Sequence, residues 1–422
     1  LKPVVDQVLA ELSSTARVIV VRRAGNDIPW QPDRDLEWSA LLARPFREVP
    51  CLPVDSDHVL FSLYTSGTTG MPKGIVHNHG GYQVGVAATS RFVLDLKESD
   101  VLWCTADPGW ITGHSYAVYG PLLMGVTQVM YEGAPAYPDP DRVWSILERY
   151  RVSVLYTAPT AIRGLMRYGL EWARRHDLSA LRLLGSVGEP LNPQAWDWYR
   201  KAAGRDLPVM DTWWQTETGA HMIAPTPVQP LKPGSPGLPF LGVDADVVDR
   251  EGHPAPAGTP GYLMVRQPWP AMMQDVYGEP ARHEQYWQTL PGVYFSGDSA
   301  HRDKDGYFWI HGRVDDVIKK AGYRLGPVEI EAALLSHSAV QEAAVIGKPD
   351  PLTGQSIKAF VILKVGAVPT PALAEELKDH VRREVGPVAA PDEVEFADDL
   401  PKTRSGKVMR RLLKDREDEG LY

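Results

Sequence analysis

Cysteine is nearly absent. Cys51 and Cys104 are the only two among 422 residues, too few for a disulfide framework and without metal-type spacing, which suits small buried hydrophobes in a reducing, cytoplasmic setting. No apolar run approaches the ~20 residues that cross a bilayer, so no membrane partner is expected. An excess of positive charge is missing too. The formal net charge of -9 argues against a nucleic-acid partner, because polyanion binding rests on clustered cations. Internal repeats and low-complexity tracts are lacking. The opening stretch LKPVVDQVLAEL has neither an initiator Met nor a signal-type apolar core, and reads as the interior of a longer chain.

What is present is ordinary globular material, 44% hydrophobic and 23% charged, long enough for two or three cores. Val4, Val8 and Leu12 predict a helix and RVIVVRR (17–23) a strand. Over 59–219 the strand-like runs VLFSLYT, DVLWCTA, VSVLYTAP, LRLLGSVG and VMDTWW alternate with helical patterns. One helix is marked by Val143, Ile146, Leu147 and Tyr150 after Asp139 and Asp141, whose charge suits a helix N-terminus. Repeated strand–helix–strand units predict an α/β fold with a mostly parallel sheet and ligands at the carboxyl ends of its strands. From 233 to 310, Pro and Gly punctuate short alternating runs such as DADVVD and GYLMVRQ, a β-rich subdomain. A small α+β unit follows GRVDD: helix 328–336, strands EAAVIG and IKAFVILK, helix 371–385 and a basic tail. The expected organisation is a large domain over 1–312, a hinge at 313–316 and a mobile C-terminal domain over 317–422.

The segment YTSGTTGMPKG (64–74) follows a strand and combines glycines, hydroxyls and one Lys. Such a loop can wrap an anion: glycines let backbone N–H groups converge on phosphate oxygens, hydroxyls add donors, and Lys73 adds charge. It is not a Walker loop, which has Gly before the Lys and Ser or Thr after it; Pro72 and Gly74 stand in those places.

With five further motifs in order, GSVGEP (185–190), DTWWQTETG (211–219), YFSGD (294–298), GRVDD (312–316) and PKTRSGK (401–407), the chain resembles the superfamily of acyl-CoA synthetases, luciferases and peptide-synthetase adenylation domains. The resemblance covers the whole chain. Within it, WITGHSY, LYTAPTAIR and SVGEPLNPQAWDWY are most similar to the acetyl-CoA synthetase family, whose members carry a long N-terminal segment that is absent from this sequence.

The resemblance implies joining of acetate to CoA through an acetyl adenylate, with ATP, CoA and Mg²⁺ as small-molecule participants. A carboxylic acid is already ionised at neutral pH, so no general base is needed first and positioning plus charge neutralisation should carry the catalysis. Lys407 is the implied adenylation catalyst, bridging carboxylate and phosphate. In relatives it is silenced by acetylation, which makes a lysine acetyltransferase and deacetylase expected partners. Thr65, Ser66, Gly67, Thr68, Thr69, Gly70 and Lys73 would hold phosphates. Gly188, Glu189 and Pro190, with Asp211, Thr212, Trp213, Trp214, Gln215 and Thr216, would line the adenine pocket. Asp298 would accept the ribose hydroxyls, with Arg313 beside it and Arg324 at the α-phosphate. Glu217 would ligate Mg²⁺, and a second Mg²⁺ site would use His337 with the carbonyls of Leu335 and Val340.

Thioester formation requires the adenylation Lys to withdraw. Asp315 resembles the hinge about which the C-terminal domain turns, delivering Gly322 to admit pantetheine, while Ala321, Arg382 and Thr112 would contact CoA. Ala321, Tyr323 and Ala136 depart from the family's Ser, His and Asn. Ile111, Thr112, Val187 and Trp214 would form the acyl pocket, with Trp214 filling the channel that long-chain enzymes leave open. Acetate is then expected, with propionate or another short acid the alternative, and an inactive truncated remnant a third reading.

Overall fold

The computed structural model describes residues 1–12, 16–45, 47–65, 72–364, 366–402 and 408–419, with Arg324 and residues 418–419 in backbone only. The chain divides into two units, 1–54 and 55–422. In the first, helix Lys2–Glu11 precedes a short parallel pair, Val18–Val20 with Asp35–Glu37, and a helix Trp38–Leu42. The predicted helix forms, and the predicted strand shortens to three residues. Val4, Val8 and Leu12 are nonetheless exposed. What the unit buries instead is charge: Lys2 Nζ lies 2.7 Å from Asp6 and 2.8 Å from Asp35, and Arg34 Nε lies 2.8 Å from Asp35.

The second unit is built on a five-stranded, fully parallel sheet in the order Thr127–Gln128, Val101–Cys104, Val154–Thr157, Leu183–Val187, Val209–Thr212. Its last three strands are buried at every residue, as a sheet covered on both faces requires. Helix Arg142–Arg149 closes one face with Val143, Ile146 and Leu147, whereas Tyr150 stays exposed. The carboxyl ends of the last three strands open onto residues 158–160, 188–190 and 213–217, the segments that carry the nucleotide motifs.

One strand departs from expectation. VLFSLYT forms Val59–Thr65 but lies outside the parallel sheet, pairing antiparallel with Lys73–Asn78, which in turn pairs with Asp275–Val276. The reason is reach: only residues 66–72 separate the two strands, whereas a parallel crossover needs about a dozen or more. The β-rich subdomain is a four-stranded antiparallel sheet in the order Ala245–Val248, Gly261–Val265, Tyr294–Arg302, Phe308–Arg313. Helix Pro280–Gln288 is inserted before its third strand.

After the turn Val314–Asp316 come a hairpin, Ile318–Lys320 with Tyr323–Leu325, helix Pro327–Ser336, and a three-stranded sheet of Val340–Asp350, Gly354–Leu363 and Glu393–Phe396. Helices Pro371–Glu384 and Arg410–Glu419 complete it. Each predicted C-terminal element is present within a few residues of its expected bounds. No helix among the described residues is long and apolar enough to cross a membrane.

Leu102 is fully buried in the central sheet and Leu122 is 65% exposed. Leu102→Ala should cost about 2–5 kcal/mol through lost burial and an unfilled cavity, and Leu122→Ala less than about 0.5 kcal/mol, both read from the midpoint of urea unfolding.

Candidate nucleotide site

The antiparallel register of Tyr294–Arg302 against Phe308–Arg313 sets Asp298 directly opposite Arg313, which places their side chains together on one face. Arg313 Nη1 lies 3.3 Å from Asp298 Oδ1 and donates at 2.8 Å to the Ser296 carbonyl. Gly297 between them has φ +72°, and a Cβ there would sit 2.4 Å from the Arg313 guanidinium. The left-handed φ favours glycine here, and any larger residue would also push the Arg313 guanidinium aside.

The other Asp298 oxygen is held from DTWWQTETG. Trp213 Nε1 donates to Oδ2 at 3.0 Å and Gln215 Nε2 at 2.9 Å, while Gln215 is itself fixed by the Tyr294 hydroxyl at 2.8 Å. Asp298 is therefore a buried, oriented acceptor beside one guanidinium, the chemistry a vicinal diol would use. Burial alone would lower the Arg313 pKa, but the charges of Asp298 and Glu217 outweigh it and raise it.

Lys73, at the head of its strand, reaches Glu217 of the Thr216–Thr218 turn, Nζ to Oε1 at 2.7 Å. Tyr286, from helix Pro280–Gln288, donates to the same oxygen at 2.8 Å. Burial would raise the Glu217 pKa; the Lys73 ammonium more than offsets it and holds the carboxyl below its usual range. An ionised, largely buried carboxylate fits a hard divalent cation. Thr65 begins the loop with its hydroxyl buried and without a hydrogen-bond partner among the described residues. Thr216 serves through its carbonyl, which faces His77 Nε2 at 2.8 Å.

Gly188 has φ +97° and nothing within 4 Å of a Cβ position, so space opens beside it. Glu189 is committed elsewhere: Thr160 N–H donates to its Oε1 at 2.9 Å and Arg163 to Oε2 at 2.9 Å. Its carboxylate anchors the start of helix Pro159–Met166, so at most its backbone and Pro190 line a pocket. Asp211 is buried and its carboxyl is pushed up to about 7 by desolvation. Thr212 donates to the Ser186 carbonyl at 2.8 Å, tying two sheet strands.

Ile111 and Val187 are buried in the cluster that contains Trp213, and Trp214 packs against it, with Thr112 half-buried. The Trp214 indole meets Tyr116 edge-on at 5.2 Å and His221 at 5.6 Å. Both of these are fully buried, with Tyr156 0.1 Å farther from hydrogen-bonding His221 Nε2, at 2.9 Å, than from Thr212 Oγ1, at 2.8 Å. The wall behind Trp214 is thus a hydrogen-bonded aromatic stack.

Ala321 and Gly322 form an exposed two-residue turn, both with positive φ, 49° and 82°. Arg382 is exposed and paired with Asp379. Asp315 is exposed, while its neighbour Asp316 takes Lys414 at 3.2 Å. His337 uses both ring nitrogens: Nδ1 accepts from the Ala339 N–H at 3.3 Å and Nε2 faces Glu376 at 3.2 Å. That leaves no ring lone pair for a cation, so the set with the Leu335 and Val340 carbonyls does not fit a His-ligated Mg²⁺. Among the described residues no group of three or more His, Cys, Asp or Glu side chains is placed to hold a metal. Ser66, Gly67, Thr68, Thr69, Gly70 and Lys407 lie outside the described residues, as does the Arg324 side chain.

Tyr286 and Tyr294 are additions that sequence reasoning missed. Tyr294 opens the YFSGD motif, so its place was marked; Tyr286 lies in an amphipathic helix with no motif of its own.

Asp211 supplies a pH test. Its folded pKa, about 7 against 3.8 unfolded, means the native state binds the extra proton, so stability from this group falls between pH 4 and 7 and stays low above. Asp211→Asn should therefore gain melting temperature relative to the parent as pH rises from 5 to 8; a constant difference across that range would refute the assignment.

Residues 2–275 match the AMP-binding enzyme family and residues 329–407 match the AMP-binding enzyme C-terminal domain. The chain is 53% identical to acetyl-coenzyme A synthetase of Pyrobaculum aerophilum, over 98% of this chain and 63% of that protein. It is 52% identical to that of Methanothrix soehngenii, over 99% and 63%. Among solved structures it is similar to acetoacetyl-CoA synthetase from Streptomyces lividans, with TM-score 0.84, 30% identity and coverage of 97% of this chain and 63% of that one. It also resembles an anthranilate CoA ligase in complex with anthranoyl-AMP, with TM-score 0.79, 32% identity and coverage of 87% and 69%. The chain spans about 63% of the length of the curated relatives it matches. With both of its regions matched and an oriented carboxylate–guanidinium pair on neighbouring strands, the chain belongs to the AMP-binding enzyme family.

Proposed function

We propose that the chain carries the adenylating and C-terminal parts of an acetate–CoA ligase, which joins acetate to CoA through acetyl adenylate and yields acetyl-CoA, AMP and pyrophosphate. The observation that carries this reading is the Asp298 carboxylate, aimed by Trp213, Gln215 and Arg313, in a chain 53% identical to an acetyl-coenzyme A synthetase.

In the first half-reaction an acetate oxygen attacks the α-phosphorus of ATP and the bond to pyrophosphate breaks. Asp298 accepts the ribose hydroxyls with the Arg313 guanidinium beside it, and the space at Gly188 admits the adenine edge. Glu217 would hold Mg²⁺, which supplies positive charge to the polyphosphate. Lys407 bridges acetate and α-phosphate, with Arg324 as a second cation. Ile111, Thr112 and Val187 narrow the acyl pocket and Trp214 ends it, its ring backed by Tyr116 and His221. Because each CH₂ contributes only about 0.8 kcal/mol of burial, a fixed wall selects chain length better than affinity does.

In the second half-reaction the CoA sulfur attacks the acyl carbon, the bond to AMP breaks and the thiol proton is released. The 317–422 domain turns about 313–316, with Asp315 at the pivot, bringing Gly322 to the pantetheine, with Ala321, Thr112 and Arg382 as CoA contacts. The Val314–Asp316 turn between two paired strand systems is short enough for a few dihedrals to absorb the rotation. Acetylation of Lys407 by a lysine acetyltransferase would remove the bridging charge and a deacetylase would restore it. The two cysteines, one exposed and both free, suit a cytoplasmic setting.

Lys407→Ala should lower acetate-dependent ATP–pyrophosphate exchange by at least about a hundredfold yet spare acetyl-CoA formation from supplied acetyl adenylate; equal loss of both half-reactions would count against the two-face mechanism. Trp214→Gly should shift preference toward four- to six-carbon acids by about tenfold or more, read from pyrophosphate release across an acid series, and an unchanged series would rule out Trp214 as the pocket's end.

A further inference from the structure

Lys73 and Glu217 come from segments 144 residues apart and meet with side chains only 12% and 13% exposed. Tyr286 joins them. Its hydroxyl accepts from the Lys73 ammonium and donates to Glu217 Oε1 at 2.8 Å, and its ring centre lies 4.8 Å from Lys73 Nζ. The ring cannot drift, because it stacks on buried Tyr294 at 5.5 Å with planes 4° apart, and Tyr294 is pinned through its hydroxyl to Gln215. Burial and the nearby Glu217 charge raise the Tyr286 pKa, so the phenol keeps its proton and remains a donor.

Arg313, the other cation of this cluster, is paired with Asp298. Among the described residues, Lys73 and Arg313 thus each already have a carboxylate, and an incoming polyphosphate must compete with Glu217 for the Lys73 ammonium. A divalent cation arriving with the nucleotide prefers carboxylate oxygen. If it takes Glu217, Lys73 loses its anion and is released to the phosphates; without the cation, phosphate and Glu217 compete for one ammonium.

We propose that Lys73, Glu217 and Tyr286 form a charge-exchange gate that couples divalent-cation binding to nucleotide binding, with Tyr286 as the positioning residue that holds the ion pair closed. The proposal rests on the nucleotide reading given above. Such coupling is reciprocal, so the cation must tighten ATP and ATP must tighten the cation by one factor.

The test is ATP binding to the full chain by calorimetry, in EDTA and in saturating Mg²⁺, without acetate. In the parent, Mg²⁺ should tighten ATP about tenfold or more. Glu217→Gln should tighten metal-free ATP by about tenfold and shrink the Mg²⁺ effect below about threefold, because Lys73 is then free in both conditions. Tyr286→Phe keeps the ring under Lys73 and removes the hydroxyl. It should tighten metal-free ATP several-fold and leave the Mg²⁺ condition within about twofold. Parallel weakening in both conditions would reduce Tyr286 to a packing residue and overturn its role. Equal ATP affinity with and without Mg²⁺ in the parent would overturn the gate alone, whereas no saturable ATP binding at all would overturn the nucleotide reading and the gate with it.

Discussion

Charge pairing out of water is the constraint around which this site is organised. Two basic side chains, Lys73 and Arg313, and two carboxylates, Glu217 and Asp298, meet in a largely buried cluster, and each basic group has a carboxylate within 4 Å. Unpaired, any one of them would carry a desolvation penalty of several kcal/mol. Paired, Lys73 and Glu217 hold strand Lys73–Asn78 to the turn after the last strand of the parallel sheet, and Asp298 and Arg313 link two neighbouring strands of the antiparallel sheet. The hydrogen bonds from Trp213, Gln215 and Tyr286 then use the remaining lone pairs, as a buried polar network requires.

The fold's layout follows from short connections. With seven residues between them, the first motif strand and the next pair antiparallel, which sets Lys73 at the head of the second strand, where Glu217 can reach it. The parallel strands, each followed by a helix or turn, open their carboxyl ends toward the motifs at 158–160, 188–190 and 213–217. The antiparallel subdomain contributes by register alone, since opposing Asp298 with Arg313 needs no more than the strand pairing.

Much of this was legible in the sequence. The C-terminal elements, the buried helix Arg142–Arg149 and the β-rich insertion follow from periodicity and turn residues. The motifs marked Lys73, Asp298, Arg313 and the DTWWQTETG turn before any coordinates. Other features are set by tertiary surroundings. Val4, Val8 and Leu12 form the expected helix, with their stripe exposed. Glu189 sits in a nucleotide motif, yet Thr160 and Arg163 take its carboxylate. His337 has the right residue type for a metal but spends both nitrogens on Glu376 and Ala339.

Local sequence thus determined which residue types occur and which secondary elements they form, because propensity, periodicity and turn chemistry act over a few residues. Pairing was decided only in three dimensions. Lys73 meets Glu217 and Tyr286, and the Glu189 carboxylate meets Thr160 and Arg163, because buried charges take the nearest partner in space, over separations that no sequence pattern records.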